Sequence, residues 1–210
     1  MSKIFFRPWV GSAYAMGGIF GKQVMILGES HYCKDGCVDC GNSKVHPKCC
    51  DFTTGVVNAY LDESAEREGW MSTYLKFERS LVGHETGGKE RRRIWDSVVF
   101  YNYLQTAMGK PRKAGTKKQY EDAAEPFFEV LEQYRPQYVI VWGYRLWNYM
   151  PGGERWSWND DIVVDGYANK CGNYALNDGT KVKILSVYHP SGGYSWDYWH
   201  KVISQFLNLK

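Results

Sequence analysis

Four short apolar runs constrain this chain more than any other feature. They are VMILG (24–28), VVFYN within DSVVFYNYLQ (96–105), YVIVWG (138–143) and KVKILSV at the start of 181–193. They lack a strict alternation of apolar and polar residues. A strand of that kind is buried on both faces, as in a parallel sheet covered by helices. Helical patterns lie between the runs. Apolar residues recur at helical spacing from Thr53 to about Leu81, interrupted near Gly69, which predicts two helices with Thr53 or Thr54 as the first cap. Residues 83–89 read as a loop. Tyr120 to Tyr134 predicts a helix with Phe127, Phe128, Val130 and Leu131 inward, ended by Pro136. A short helix follows YVIVWG, a short hairpin is expected within 151–180, and Ser195 is expected to cap a last helix from Trp196 to about Leu207.

Strands alternating with helices predict an α/β fold of three layers, α/β/α, with a central, mainly parallel four-stranded sheet. A length of 210 residues suits a single domain over 1–210, with a Cys-rich insert at about 33–50. Hydrophobic residues make up 44% of the chain, which excludes a disordered composition. No run approaches the ~20 apolar residues of a membrane span, and the first residues lack the apolar core of a secretory leader. A cytoplasmic monomer is the expectation.

In sheets of this kind ligands bind at the carboxyl ends of the strands. Polar residues collect there: Glu29, Ser30, His31 and Tyr32 after the first run, Asn102 at the end of the second, His189 and Ser191 after the last. VMILGESHYC therefore reads as one wall of a cleft. The net charge of +3 permits a nucleic-acid partner. Basic residues cluster at Lys89–Arg93 and in the loop 109–118, which carries Lys110, Arg112 and Lys113. Aromatic residues are abundant at 16%, and unpaired bases stack on such rings. Trp142 and Trp147 read as packing.

Four segments in order resemble the uracil-DNA glycosylase superfamily. GESHY (28–32) resembles its G-Q-D-P-Y or G-E-A-P-G loop, and VVFYNYLQTAMG (98–109) resembles the strand bearing its base-reading Asn. YVIVWGYRLW (138–147) resembles a structural strand, and VYHPSGGYSW (187–196) resembles its H-P-S loop. The resemblance implies a DNA glycosylase that hydrolyses the N-glycosidic bond of uracil or a related deaminated or modified base, in single- or double-stranded DNA. Within it Glu29 would activate water or stabilise the sugar cation, Asn102 would read the flipped base, and His189 would donate to the leaving base. Tyr32, Phe52 and Gly28 would surround the base. Pro190 and Ser191 would hold a phosphate, and Tyr194 or Trp196 would wedge into the base stack. Two positions depart from the pattern: Ser30 stands where one branch has an Asp, and His31 where a Pro is usual. The Ser30 departure keeps open a non-catalytic nucleic-acid-binding relative.

Cys33, Cys37, Cys40, Cys49 and Cys50 lie within 18 residues of one another, with His46 among them, while Cys171 lies far off. In a chain with no export signal, such crowding suggests a structural zinc or an iron–sulfur cluster, with no cofactor for catalysis. The C-x3-C-x2-C spacing also resembles radical S-adenosylmethionine enzymes, a remoter alternative in which Asp39 replaces the usual aromatic.

Overall fold

The computed structural model describes residues 2–33 and 49–208. Its strands are β1 (Trp9–Val10), β2 (Val24–Gly28), β3 (Val98–Asn102), β4 (Tyr138–Trp142), β5 (Trp156–Trp158), β6 (Ile162–Val164), β7 (Tyr167–Asn169), β8 (Cys171–Ala175) and β9 (Lys181–Val187). The helices are α1 (Phe52–Leu61), α2 (Met71–Val82), α3 (Gly88–Trp95), α4 (Lys117–Asp122), α5 (Ala124–Tyr134), α6 (Tyr144–Tyr149) and α7 (Trp196–Leu207).

Among the described residues the central sheet has seven strands in the order β1-β3-β2-β4-β9-β8-β5, not four. The four expected strands form its parallel centre, β3-β2-β4-β9. The added strands are antiparallel: β1 on one flank, β8 and β5 on the other. They are short or polar, so their composition resembles that of loops. Lys181 and Lys183 face outward on β9, where the antiparallel flank begins.

Every residue of β2, β3 and β4 is buried, because helices cover both faces. Alternate residues divide between two cores. Val24, Ile26, Phe100, Ile140 and Leu185 join α1, α2, α3 and α7 on one face. Met25, Leu27, Tyr101, Val141 and Ile184 join α4, α5 and α6 on the other. Truncating such a residue, Ile26 for example, costs about 2–5 kcal/mol. The helices bury the spacing expected of an amphipathic element: α2 buries Met71, Tyr74, Phe77, Glu78 and Leu81. It stops at Gly83, at a φ of 80°, where the amide returns to the carbonyl of Arg79.

Several local expectations are corrected. The segment 83–89 is not all loop, since α3 begins at Gly88 and buries Arg91, Ile94 and Trp95. The helix expected over 120–134 is two. Thr116 caps α4 in a reciprocal capping box with Gln119, and the chain breaks at Ala123 before α5. Thr53 and Thr54 lie inside α1, whose N-cap is Asp51. Ser195 is the N-cap of α7 but its hydroxyl bonds Asp197 rather than the backbone. The expected hairpin is β6–β7, which packs its Ile162 and Val164 under α7. No described helix is long and apolar enough to cross a membrane.

Candidate functional site

The parallel strands lie side by side in the order β3-β2-β4-β9, so the chain leaves β2 toward β3 on one side and β4 toward β9 on the other, and the connections turn in opposite directions. The loops leaving those two strands therefore diverge and open a crevice. A cavity of about 790 Å³ lies there. Its lining includes Gly28, Glu29, Tyr32, Phe52, Asn102, Arg112, His189 and Ser191. Residues up to 163 positions apart in sequence thus meet in one cleft.

The backbone holds the first wall rigidly. Past the end of β2, the amides of Tyr103 and Leu104 donate to the carbonyls of Gly28 and Glu29 at 2.9 Å each, and Met108 donates to His31 at 2.8 Å. Gly28 has a steric reason to be glycine, because a Cβ there would overlap Oδ1 of Asn102.

Glu29 is buried and each of its carboxylate oxygens has a partner. Tyr120 donates its hydroxyl to Oε1 at 2.6 Å, and Arg145 Nε lies 3.0 and 2.9 Å from the two oxygens. Burial, then the hydrogen bond to Glu29, pushes the Tyr120 phenol far up, so it stays a donor. Arg145 also donates from Nη1 to the carbonyl of Arg112, and Arg112 donates its amide to the hydroxyl of Tyr32 at 3.3 Å. Arg112 sits at a φ of 65°, a left-handed conformation unusual for a side-chain-bearing residue.

His31, the residue in the unusual position, is buried against the groups expected to handle a base. Phe52 stacks on its ring with centroids 4.5 Å apart, and Phe6 meets it edge-on at 4.9 Å. Nε2 lies 2.9 Å from Thr53 Oγ1. Asn102 Nδ2 is nearly equidistant from the two ring nitrogens, at 3.3 and 3.2 Å. An in-plane position at those distances would collide with Cε1, so the amide lies over the ring face. Burial lowers the His31 pKa to about 3, leaving a neutral ring.

His189 is half-buried at the opposite wall. Its Nδ1 accepts from the Ser191 amide at 3.2 Å and lies 2.8 Å from the Ser191 hydroxyl. A neutral ring with Nδ1 accepting carries its proton on Nε2. Burial lowers the pKa of His189, against the opposing pull of Glu29 and with the help of Arg145 and Arg112. The cleft therefore contains a neutral imidazole whose second nitrogen is a donor.

Other expected residues lie elsewhere. Tyr194 is buried in the core with its hydroxyl 2.8 Å from that of Ser80, so it presents no ring for insertion between bases. Trp196 is half-buried against the same core, and Pro190 is buried. Lys110 and Lys113 are exposed on the loop beside Arg112, outside the cavity lining. Cys33, Cys49 and Cys50 are partly exposed thiols, and Arg7 Nη2 lies 3.3 Å from the sulfur of Cys50. Cys37, Cys40 and His46 lie outside the described residues. Among the described residues no three His, Cys, Asp or Glu side chains are placed to hold a metal ion.

Arg145 and Tyr120 were not expected at the site. Arg145 had a signal, since it follows the buried strand β4 by three positions, as Tyr32 follows β2 by four. Tyr120 had none, because it reaches Glu29 from a helix on the opposite side of the sheet's carboxyl edge. Trp142, expected as packing, also lines the cavity, and neither its buried Nε1 nor Ser30 Oγ has a hydrogen-bond partner among the described residues. No protein-family model matches the chain, and no curated protein matches it.

Proposed function

We propose that the chain is a uracil-DNA glycosylase-like enzyme that excises a deaminated or otherwise modified base from DNA. The observation that carries this reading is the meeting of Glu29, Asn102 and His189, from the ends of three different parallel strands, in one cavity large enough for a nucleotide. A cleft with a carboxylate, a side-chain amide and a neutral imidazole donor supplies the groups that the bond cleavage uses.

In this mechanism the N-glycosidic bond breaks with its electron pair leaving on the base. His189 donates from Nε2 to the base oxygen on which negative charge develops. A preorganised donor of this kind is worth about 10²–10³ in rate. Asn102 pairs with the polar edge of the base, and Phe52 offers a ring on which to stack. The Glu29 carboxylate faces the sugar as positive charge grows there and orients the water that completes hydrolysis. Tyr120 and Arg145 keep it in position. The orphan Trp142 Nε1 and Ser30 Oγ are further polar groups for a bound nucleotide.

The hold of Arg145 and Tyr120 on both Glu29 oxygens favours one second reading, a relative that binds nucleic acid without cutting it. Labelled oligonucleotides carrying a single uracil separate the two after hot-alkali treatment. Wild-type cleavage that is lost in His189→Ala and Asn102→Ala supports excision at this site. DNA binding with no cleavage across a panel of modified bases supports the binding-only reading.

A further inference from the structure

We infer that the aromatic surface around α6 binds unpaired nucleobases, so that the DNA presented to the cleft is single-stranded. This rests on the nucleic-acid reading of the cleft. Large rings are exposed on and beside this short helix: Tyr144 is 43% exposed, Tyr149 46%, Tyr188 54% and Trp158 61%. They are joined to one another through α6. Tyr144 meets Tyr188 edge-on with centroids 5.2 Å apart, and Trp147 of the same helix lies 6.1 Å from Trp158. Tyr149 stacks on Tyr120, the partner of Glu29, at 4.1 Å.

The surface adjoins the cleft. Tyr144 follows Gly143 at the end of β4, Tyr188 precedes His189, and Arg145, next to Tyr144 in the chain, reaches Glu29. A folded domain rarely leaves several large rings together in water without a partner for them. The rings are accompanied by positive charge that suits a phosphate backbone. Arg145 is 40% exposed, Arg112 is exposed, and Lys170 Nζ lies 5.7 Å over the ring of Trp158.

Two observations favour unpaired DNA over a duplex. The H-P-S segment continues through Ser191, Gly192 and Gly193, all exposed and small, and the ring that follows them, Tyr194, is buried on Ser80. After Ser191, where the resemblance puts the wedge, no exposed ring is therefore ready to offset the few kcal/mol needed to unstack and unpair a base. The chain also carries a net charge of only +3, which limits binding driven by phosphate contacts alone. Stacking supplies affinity that is indifferent to sequence.

The test is binding of a fluorescein-labelled oligothymidylate that contains no uracil, and of its duplex with oligoadenylate, read by anisotropy. Tyr144→Ala/Tyr188→Ala and Trp158→Ala are compared with wild type, and Tyr144→Phe/Tyr188→Phe retains the rings. The expected result is preference of the wild type for the single strand, loss of roughly tenfold in affinity per ring removed, and retention by the Phe variant. Equal single-strand binding by the Ala variants, or a preference for duplex, overturns the inference. A change in oligomeric state of Trp158→Ala on size exclusion, with DNA binding unchanged, also overturns it in favour of a contact between copies along the edge strand β5. Because the probe has no excisable base, the outcomes stay separate. Ring-dependent binding without release of uracil or of any base in the modified-base panel sustains this inference and removes the enzymatic reading. Uracil release that ignores the rings does the reverse.

Discussion

Arg145 Nε lies within 3.0 Å of both carboxylate oxygens of Glu29, and the same guanidinium holds the carbonyl of Arg112. One side chain therefore joins the ends of β2 and β4 to the basic loop 109–118. A charge at the bottom of a cleft is useful only if its direction is set, and Arg145 and Tyr120 set it from two sides.

Replacing Arg145 by Ala is expected to leave a buried carboxylate with Tyr120 as its remaining described side-chain partner. Removing one member of a buried pair costs about 3–5 kcal/mol, but Arg145 is partly exposed, so a loss of about 1–2 kcal/mol is expected. Urea denaturation measures it. On the proposed mechanism, excision of uracil should fall at least tenfold more than stability accounts for, with the loss in kcat rather than KM, since the guanidinium positions Glu29. An Arg145→Ala variant with unchanged kcat would show that the ion pair serves folding alone.

His31 gives the fold a defined acid sensitivity. Its pKa falls from the ordinary 6.5 to about 3 on burial. Between those values the unfolded chain binds a proton that the folded chain refuses, so stability is full above pH ~6.5 and declines as pH falls toward 3. His189 is shifted in the same direction. Urea midpoints at pH 7.5, 5.5 and 4.5 should fall in that order. His31→Phe should flatten the decline, because a phenyl ring can still meet Phe52 and Phe6 but cannot be protonated.

Gly28→Ala tests the seat of the Asn102 amide. The new Cβ overlaps Oδ1 of Asn102, and neither backbone can move within the parallel centre of the sheet. The side chain must rotate away. Excision by Gly28→Ala should therefore drop as far as in Asn102→Ala, and combining the two should add little further loss, as expected of changes at one contact. Independent, multiplicative losses would dissociate the glycine from the amide.

Glu78 is a buried charge that lies outside the cavity lining. It is fully buried on α2 and accepts from Arg91 Nε and Trp95 Nε1 at 3.1 Å each, and from the Thr86 hydroxyl. Glu78→Ala strands the Arg91 guanidinium in the core, at a cost of about 3–5 kcal/mol. Thermal melting should reveal it, while Glu78→Gln, which can still accept from Trp95, should lose less.

The sequence alone determined which segments could be strands buried on both faces, because an unbroken apolar run has no other economical home. Together with the helical patterns this implied the parallel centre, and with it the edge at which Glu29, Asn102 and His189 emerge. Flanking strands such as β1 and β5 were illegible because two or three residues carry no periodicity, and their pairing is satisfied only by a neighbour distant in the chain. Tertiary structure alone decided that Glu29 would be gripped by Arg145 and Tyr120, that His31 would turn inward onto Phe52 and Asn102, and that Tyr194 would bury itself on Ser80. Those outcomes depend on directions and distances between elements, and a residue's type says what it can bond without saying which partner packing will bring within reach.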